Sequence, residues 1–348
     1  MNGVSLASGI MLLSLLCAFP FARASSHAQE PGTLEVAVIR NDSEGPKYMA
    51  EGGLVPMLQK LGCEVTGVEV ATLTKAEQGE YGAWNRAALE SRHIGSVVSK
   101  NRRGSVLVVG LLTNCTDLLG MLAGLQHLRP AATPAGPRKG RDQSEGLAGL
   151  TPLRVGLIYF DAHADFNTPE TTLSGMLGGM DVAVASGMCL TRLRLKTGLD
   201  PAVPTKYIVF GGLRDVDPLE QELLDRSDCE FLTVEDIKAH GAALDRQIKR
   251  LSDLVDVIYV HVDMDVLDPS EVRGHPLTAP EGPASVELAV AIRTIFANPK
   301  ATALGIASIP FGARDKDGLS LGAAYRLIEA SVLGRKSRSC LSKHARIL

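Results

Sequence analysis

Asp161, His163 and Asp165 follow the apolar run 153–160, and Asp263 and Asp265 follow a second such run, 256–262. Alternate positions of an extended chain share a face, so each set is expected to point one way. Both sets stand where a buried strand is expected to end, and in open parallel sheets ligands bind at that edge. Four carboxylates and an imidazole gathered there repel one another unless a cation neutralises them. Oxygen-rich donors with a minority of nitrogen suit manganese or a similar divalent ion better than zinc. Aspartates acting as turn formers, with a surface histidine, would account for one acidic pair but poorly for two.

Something must hold those sets together, and the rest of the chain supplies it. Short β-branched runs at 34–39, 64–70, 105–111, 153–160, 206–210, 229–232, 256–262 and 302–309 are expected strands. Between or after them lie expected helices at 48–61, 84–98, 117–128, 172–187, 219–225, 234–251, 286–297 and 323–333. Strands that alternate with helices and are apolar on both faces predict an α/β fold, a parallel sheet covered on both sides. No linker interrupts the pattern, so one domain is expected over 31–334. Two segments depart from it: 129–151, rich in Pro, Gly and charge, reads as a flexible insertion, and 335–348 as a basic, solvated tail.

The chain has 348 residues, with 36 Lys+Arg against 39 Asp+Glu and a net charge of −3. It is 45% hydrophobic and 22% charged, which excludes general disorder. It offers no electrostatic case for nucleic-acid binding, and 4% aromatics give few stacking platforms for bases. The six cysteines show no CxxC spacing, so zinc-ribbon and disulfide-scaffold readings are weak. The apolar run 9–22 followed by Ala22-Arg23-Ala24 resembles a secretory signal peptide over 1–24. A secreted or periplasmic protein is therefore expected, with no membrane attachment once the leader is removed; an uncleaved anchor is the alternative.

The blocks Phe160-Asp161-Ala162-His163-Ala164-Asp165-Phe166-Asn167-Thr168-Pro169 and Val262-Asp263-Met264-Asp265-Val266-Leu267-Asp268-Pro269-Ser270 resemble the two main signatures of the ureohydrolase superfamily, which holds arginase, agmatinase and formiminoglutamase. A third block, Gly212-Leu213-Arg214-Asp215-Val216-Asp217-Pro218, is similar to arginase. The resemblance implies a three-layer α/β/α sandwich on an eight-stranded, mostly parallel sheet. It also implies a binuclear manganese centre, iron or zinc being other occupants, that lowers the pKa of a bridging water. By this resemblance Asp161 and Asp263 would bridge the ions. Asp165 would ligate one and act on the hydroxide, while His163 and Asp265 would complete the other. Asn167 and Ser174 match positions that hold a substrate's α-carboxylate, and Asp217 one near its α-amine. Their plainer readings are turn former, residue at a helix start and N-cap. A small-molecule substrate and, by family analogy, a homo-oligomer are implied.

Three departures from the family pattern bear on function. At 110–117 Cys115 falls on the family's first ligand histidine, and a thiolate is softer, favouring iron or zinc; a buried, inert Cys is the competing reading. Gly178 stands where arginase has a proton-shuttling histidine. Ala307 stands where the family has a glutamate that grips the guanidinium, a charge-assisted contact. The expectation is a metal-dependent hydrolase of C–N bonds in linear amidines or amides, with formiminoglutamate-like compounds as the comparison. One alternative is a catalytically silent metal-binding member. Another is an arginase or agmatinase with a rebuilt guanidinium site, for which Asp315 and Asp317 are the nearest carboxylates.

Overall fold

A computed structural model of the chain describes residues 33–102, 106–127 and 151–344. The expected leader over 1–24 and nearly all of the expected insertion at 129–151 lie outside the described residues. The strands are β1 (Leu34–Asn41), β2 (Cys63–Ala71), β3 (Leu107–Leu111), β4 (Val155–Phe160), β5 (Ile208–Gly211), β6 (Glu230–Leu232), β7 (Val257–Asp263) and β8 (Ala301–Ala307). They form one eight-stranded sheet in the order β2-β1-β3-β8-β7-β4-β5-β6, and every pairing is parallel.

The helices are α1 (Glu44–Met49), α2 (Val55–Lys60), α3 (Lys75–Gln78), α4 (Ala83–Asn101), α5 (Leu118–Gln126), α6 (Asp181–Ala185), α7 (Thr191–Thr197), α8 (Pro218–Asp225), α9 (Val234–Ala239), α10 (Ala242–Leu254), α11 (Ser285–Ala297) and α12 (Leu319–His344). The period-2 alternation of each strand divides the core in two. On one face Val36, Val109, Ile158, Val260 and Leu304 pack with Leu58, Leu251, Ile292 and Leu327 from α2, α10, α11 and α12. On the other, Ile39, Val108, Leu157, Tyr159 and Tyr259 pack with Ile94, Leu118, Leu122 and Val182 from α4, α5 and α6. Residues that alternate along β3, β4 and β7 thus serve opposite layers, which is why those runs are apolar throughout.

Three helix expectations are corrected by local backbone chemistry. Residues 172–187 do not form one helix: Gly175 takes φ 67° and only Asp181–Ala185 is α-helical. The expected helix 234–251 divides into α9 and α10 where His240 adopts a left-handed φ of 49°. The expected solvated tail from Arg335 begins instead as the continuation of α12, with the Arg338 side chain hydrogen-bonded to the carbonyls of Phe296, Asn298, Pro299 and Ala301. No helix among the described residues is long and apolar enough to cross a membrane.

Helix α5, which carries the turn bearing Cys115, sits unusually close to α4. A Cβ on Gly120 would stand 2.2 Å from the Ser91 carbonyl oxygen, and one on Gly124 2.6 Å from that of Gly95. Backbone cannot yield as a flexible side chain would. Gly120→Ala is therefore expected to cost about 1–3 kcal/mol by overpacking, read as a lower urea midpoint at unchanged slope. An unchanged midpoint would mean that the two helices separate freely.

Candidate metal centre

β3, β8, β7 and β4 are neighbours in the sheet, and the candidate residues lie at or just beyond their C-terminal ends. Asp161 and His163 do not converge by strand alternation, because β4 stops at Phe160. The chain turns there, and Asp165 sits at φ 47°, a costly conformation for a residue with a side chain. Its carbonyl accepts from Val182 N at 2.9 Å, and its Oδ2 accepts from the Tyr159 hydroxyl at 2.5 Å. After β7, a single 3-10 turn brings Asp265 N to 3.0 Å from Asp263 Oδ1. Arg214 ties the two loops to the end of β5: its side chain donates to the carbonyls of Gly212, Asp265, Ala279 and Pro280, and its backbone N to that of Ala162.

The side chains meet as three overlapping groups: Cys115 with Asp161 and Asp165; Asp161 with His163 and Asp265; and Asp263 with Asp265 and His275. Within each, the donor atoms lie within 4.8 Å of one another. His163 Nδ1 is 3.3 Å from Asp161 Oδ1 and 3.2 Å from Asp265 Oδ2, and its Nε2 is 3.6 Å from Asp215 Oδ2. Burial, followed by repulsion from Asp265, Asp165 and Asp263, pushes the Asp161 carboxyl well above its usual range. Burial raises Asp165 in the same way, and burial with the nearby Asp265 lifts Asp263 to about 6. Burial opposes charge on His163, but its hydrogen bonds to Asp161 and Asp265 outweigh that and raise it to about 11. Asp265 is also buried, yet the His163 contact holds it below the usual range. Three of these carboxyls, Asp161, Asp165 and Asp263, are destabilised when charged, and such a set of acceptors fits a divalent cation.

Cys115 is buried, and its thiol donates to Asp263 Oδ2 at 2.8 Å with Asp161 Oδ2 at 3.7 Å. Burial and then Asp263 and Asp161 push the thiol well above its ordinary value, so it is neutral in the ion-free protein. His261 Nε2 lies 3.3 Å from Sγ, while its Nδ1 lies 2.8 Å from the Tyr259 hydroxyl. With Tyr259 donating to Nδ1, the ring proton sits on Nε2 and faces the sulfur. Burial holds His261 neutral, down to about 3. Cys115→His is expected to raise manganese affinity about tenfold or more by exchanging a neutral thiol for an imidazole donor, as titrated calorimetrically. No gain would place the ion beyond the reach of position 115.

The substrate-side residues are less tightly grouped. Asn167 donates to Asp217 Oδ2 at 3.1 Å and accepts from Thr171 Oγ1 at 2.9 Å. Asp217 is the N-cap of α8, and its backbone N donates to Glu220 Oε2 at 3.2 Å. Ser174 is exposed on a loop, its Oγ accepting from Met176 N at 3.2 Å, so it does not begin a helix. All three line a cavity of about 440 Å³ with the acidic cluster, Gly178, Glu220 and His275. Ala307 is fully buried, in register with Asp263, and presents no charge there. Asp315 and Asp317 do not line the cavity. Asp315 accepts from Tyr48 Oη and from the backbone of Ser320 and Leu321, while Asp317 pairs with Arg273 at the surface.

Sequence reasoning missed Glu220, His261, His275 and Ser308. Glu220 is buried, and its Oε1 accepts from Phe166 N at 2.7 Å, bracing the segment that carries Asn167. Ser308 Oγ donates to Asp263 Oδ2 at 2.5 Å. The Glu at the third position after Asp217 was a readable N-terminal helix signal; the others carried no spacing signal.

A family model described as the arginase family matches residues 144–309. An arginase of Entamoeba histolytica is 29% identical over 246 residues, covering 69% of this chain and 75% of its own. The crystal structure of an arginase from Bacillus cereus superposes with a TM-score of 0.70 at 20% identity, covering 86% of this chain and 98% of that one. A formimidoylglutamase from Bacillus subtilis gives a TM-score of 0.62 at 15% identity over 88% and 89% of the two chains.

Proposed function

The chain is a divergent member of the ureohydrolase superfamily, and from that premise we propose that it is a metal-dependent hydrolase of non-peptide C–N bonds in linear amidines, amides or formimino groups. The relatives with the greater similarity are named arginases, so the narrower substrate class rests on this chain's own residues. The observation that carries it is a buried carboxylate and histidine cluster on the floor of a cavity to which Ala307 contributes no carboxylate.

In this reading Asp161 and Asp263 would bridge two divalent ions, manganese foremost. His163 and Asp265 would serve one, and Asp165 with Cys115 the other. When bound, such ions supply a nucleophilic water at neutral pH and polarise the group under attack. Tyr159 donates to Asp165 Oδ2 and orients the carboxylate, which would serve as the proton acceptor beside the ion. Asn167 and Asp217 would orient the polar end of the substrate, and Ser174 would meet it at the rim. Met176, Leu277 and Phe311, each partly exposed, give the cavity an apolar lining. Arg314 also lines the cavity and suits a substrate with a remote carboxylate.

A leader at 1–24 would put this activity outside the cytoplasm in the same proposal, in an assembly of several copies by family analogy. A second reading, a silent metal-binding member, is favoured by the Cys115 thiol, which stands at the position of a family ligand histidine and is hydrogen-bonded to Asp263 Oδ2. Elemental analysis of the purified mature chain, beside a screen for formamide, ammonia and urea release, decides between them. Bound metal with release from a formimino or amide compound supports hydrolysis. Bound metal with no turnover across the screen supports the silent reading.

A further inference from the structure

Resting on the metal-binding reading above, we propose that His275 is a ligand of the ion held by Asp263 and Asp265. It would give this chain a two-histidine site on one side of the centre and leave the Cys115 side the weaker one.

His275 lies in the loop after β7 and is 9% exposed. Its Nε2 is 3.7 Å from Asp263 Oδ1 and its Nδ1 3.9 Å from Asp265 Oδ2. Both distances are too long for hydrogen bonds. The Nε2 distance matches the span of donors sharing one ion, since bonds of about 2.0–2.2 Å set neighbouring ligand atoms roughly 3–4 Å apart, and one donor atom from each of Asp263, Asp265 and His275 lies within 4.8 Å of the others. Asp265 Oδ2 is thus flanked by two imidazoles, with His163 Nδ1 on the other side at 3.2 Å.

The loop holds the ring in place before any ion arrives. His275 N donates to Val272 O at 2.8 Å. A Cβ on the preceding Gly274 would stand 2.2 Å from the Arg314 carbonyl oxygen, so only glycine allows that close passage. Leu277 N donates to His275 Nδ1 at 3.2 Å, the long end of the range. Binding through Nε2 puts the ring proton on Nδ1 and exchanges that contact for a bond to the metal.

The two sides of the centre then differ in donor chemistry. One offers His163, His275 and Asp265, with Asp161 and Asp263 shared between the two. The other adds Asp165 beside a thiol already committed to Asp263 Oδ2. Two imidazoles also move the first site's preference from manganese towards iron, cobalt or zinc.

The test is binding of Mn²⁺ and Co²⁺ to the mature chain, to His275→Gly and His275→Gln, and to Asp161→Asn. Affinity is read by competition with a chromophoric chelator and the Co²⁺ ligand field by visible absorption. The expected result is one tightly held ion in the unmodified chain, weakened about 10–100-fold in His275→Gly and restored by added imidazole. Retained affinity in His275→Gly, or a Co²⁺ spectrum unchanged in His275→Gln, overturns the ligand assignment. A loss that imidazole does not restore also overturns it, because the residue would then act only through the fold. If His275→Gly binds normally while Asp161→Asn loses metal, the centre stands without His275. If the unmodified chain binds neither ion, both readings fall.

Discussion

Asp161→Asn and Asp263→Asn each lose most of the divalent metal held by the unmodified chain, measured by elemental analysis after dialysis. Each of these carboxylates faces both halves of the cluster. Asp161 Oδ1 is 3.3 Å from His163 Nδ1, while its Oδ2 is 3.7 Å from Cys115 Sγ. Asp263 Oδ1 is 3.7 Å from His275 Nε2, while its Oδ2 takes the Cys115 thiol at 2.8 Å. An amide keeps the shape but removes one negative charge and one anionic oxygen from both ions. The surplus positive charge repels in a buried site, so both ions loosen together. Single-ligand changes such as Asp165→Asn are expected to empty one position more than the other. Full occupancy in either bridging variant would rule out the bridging roles, and circular dichroism would exclude unfolding as the cause of loss.

The same cluster sets a pH dependence. Asp263 rises from 3.8 to about 6 on folding, so without an ion the folded form holds that proton more tightly than the unfolded chain does. Its contribution to stability is present below about 3.8 and is lost as pH rises through about 6. A bound cation favours the carboxylate and reverses that sign. The rise in melting temperature given by Mn²⁺ is therefore expected to grow across this window, and a constant rise would place the metal away from Asp263.

The strands and the two acidic pairs were legible because each is local. A run apolar on both faces, followed by Asp-x-His-x-Asp or Asp-x-Asp, carries its own signal. What closes the site is not local. Cys115, Tyr159, His261 and Ser308 meet only because β3, β8, β7 and β4 lie side by side, an order that no spacing in the chain displays. His275 was hidden for a related reason: it is a lone histidine in a Gly-His-Pro loop, aimed by a glycine's close passage against Arg314. The helix expected at 172–187 failed because Gly175 turns the backbone to φ 67° and frees the loop that carries Ser174 and Gly178 to line the cavity. A left-handed glycine there overrode helical periodicity.

Arginine and agmatine are expected to yield no urea above a metal-only blank, even with metal saturating, while a formimino or neutral amide compound is turned over. Position 307, where the resemblance puts the family's clamp, is an alanine fully buried at the end of β8, and it offers a guanidinium in this cavity no charge. Leaving that buried charge unpaired costs about 3–5 kcal/mol, or roughly two to four orders of magnitude in binding. The carboxylates nearest in sequence cannot take over: Asp315 is spent on Tyr48 and the start of α12, and Asp317 on Arg273. Proton delivery suffers separately. A Cβ on Gly178 would meet nothing within 4 Å, and the position itself carries no side chain that could move a proton. That absence is expected to slow protonation of the leaving amine by about 10²–10⁴-fold. A neutral amide escapes most of the first loss because it brings no full charge to be paired, and retains only the second. Robust urea release from arginine by the unmodified chain would sink this reading. It would require a carboxylate already in the cavity, Glu220 or Asp217, to reach the guanidinium in place of the clamp.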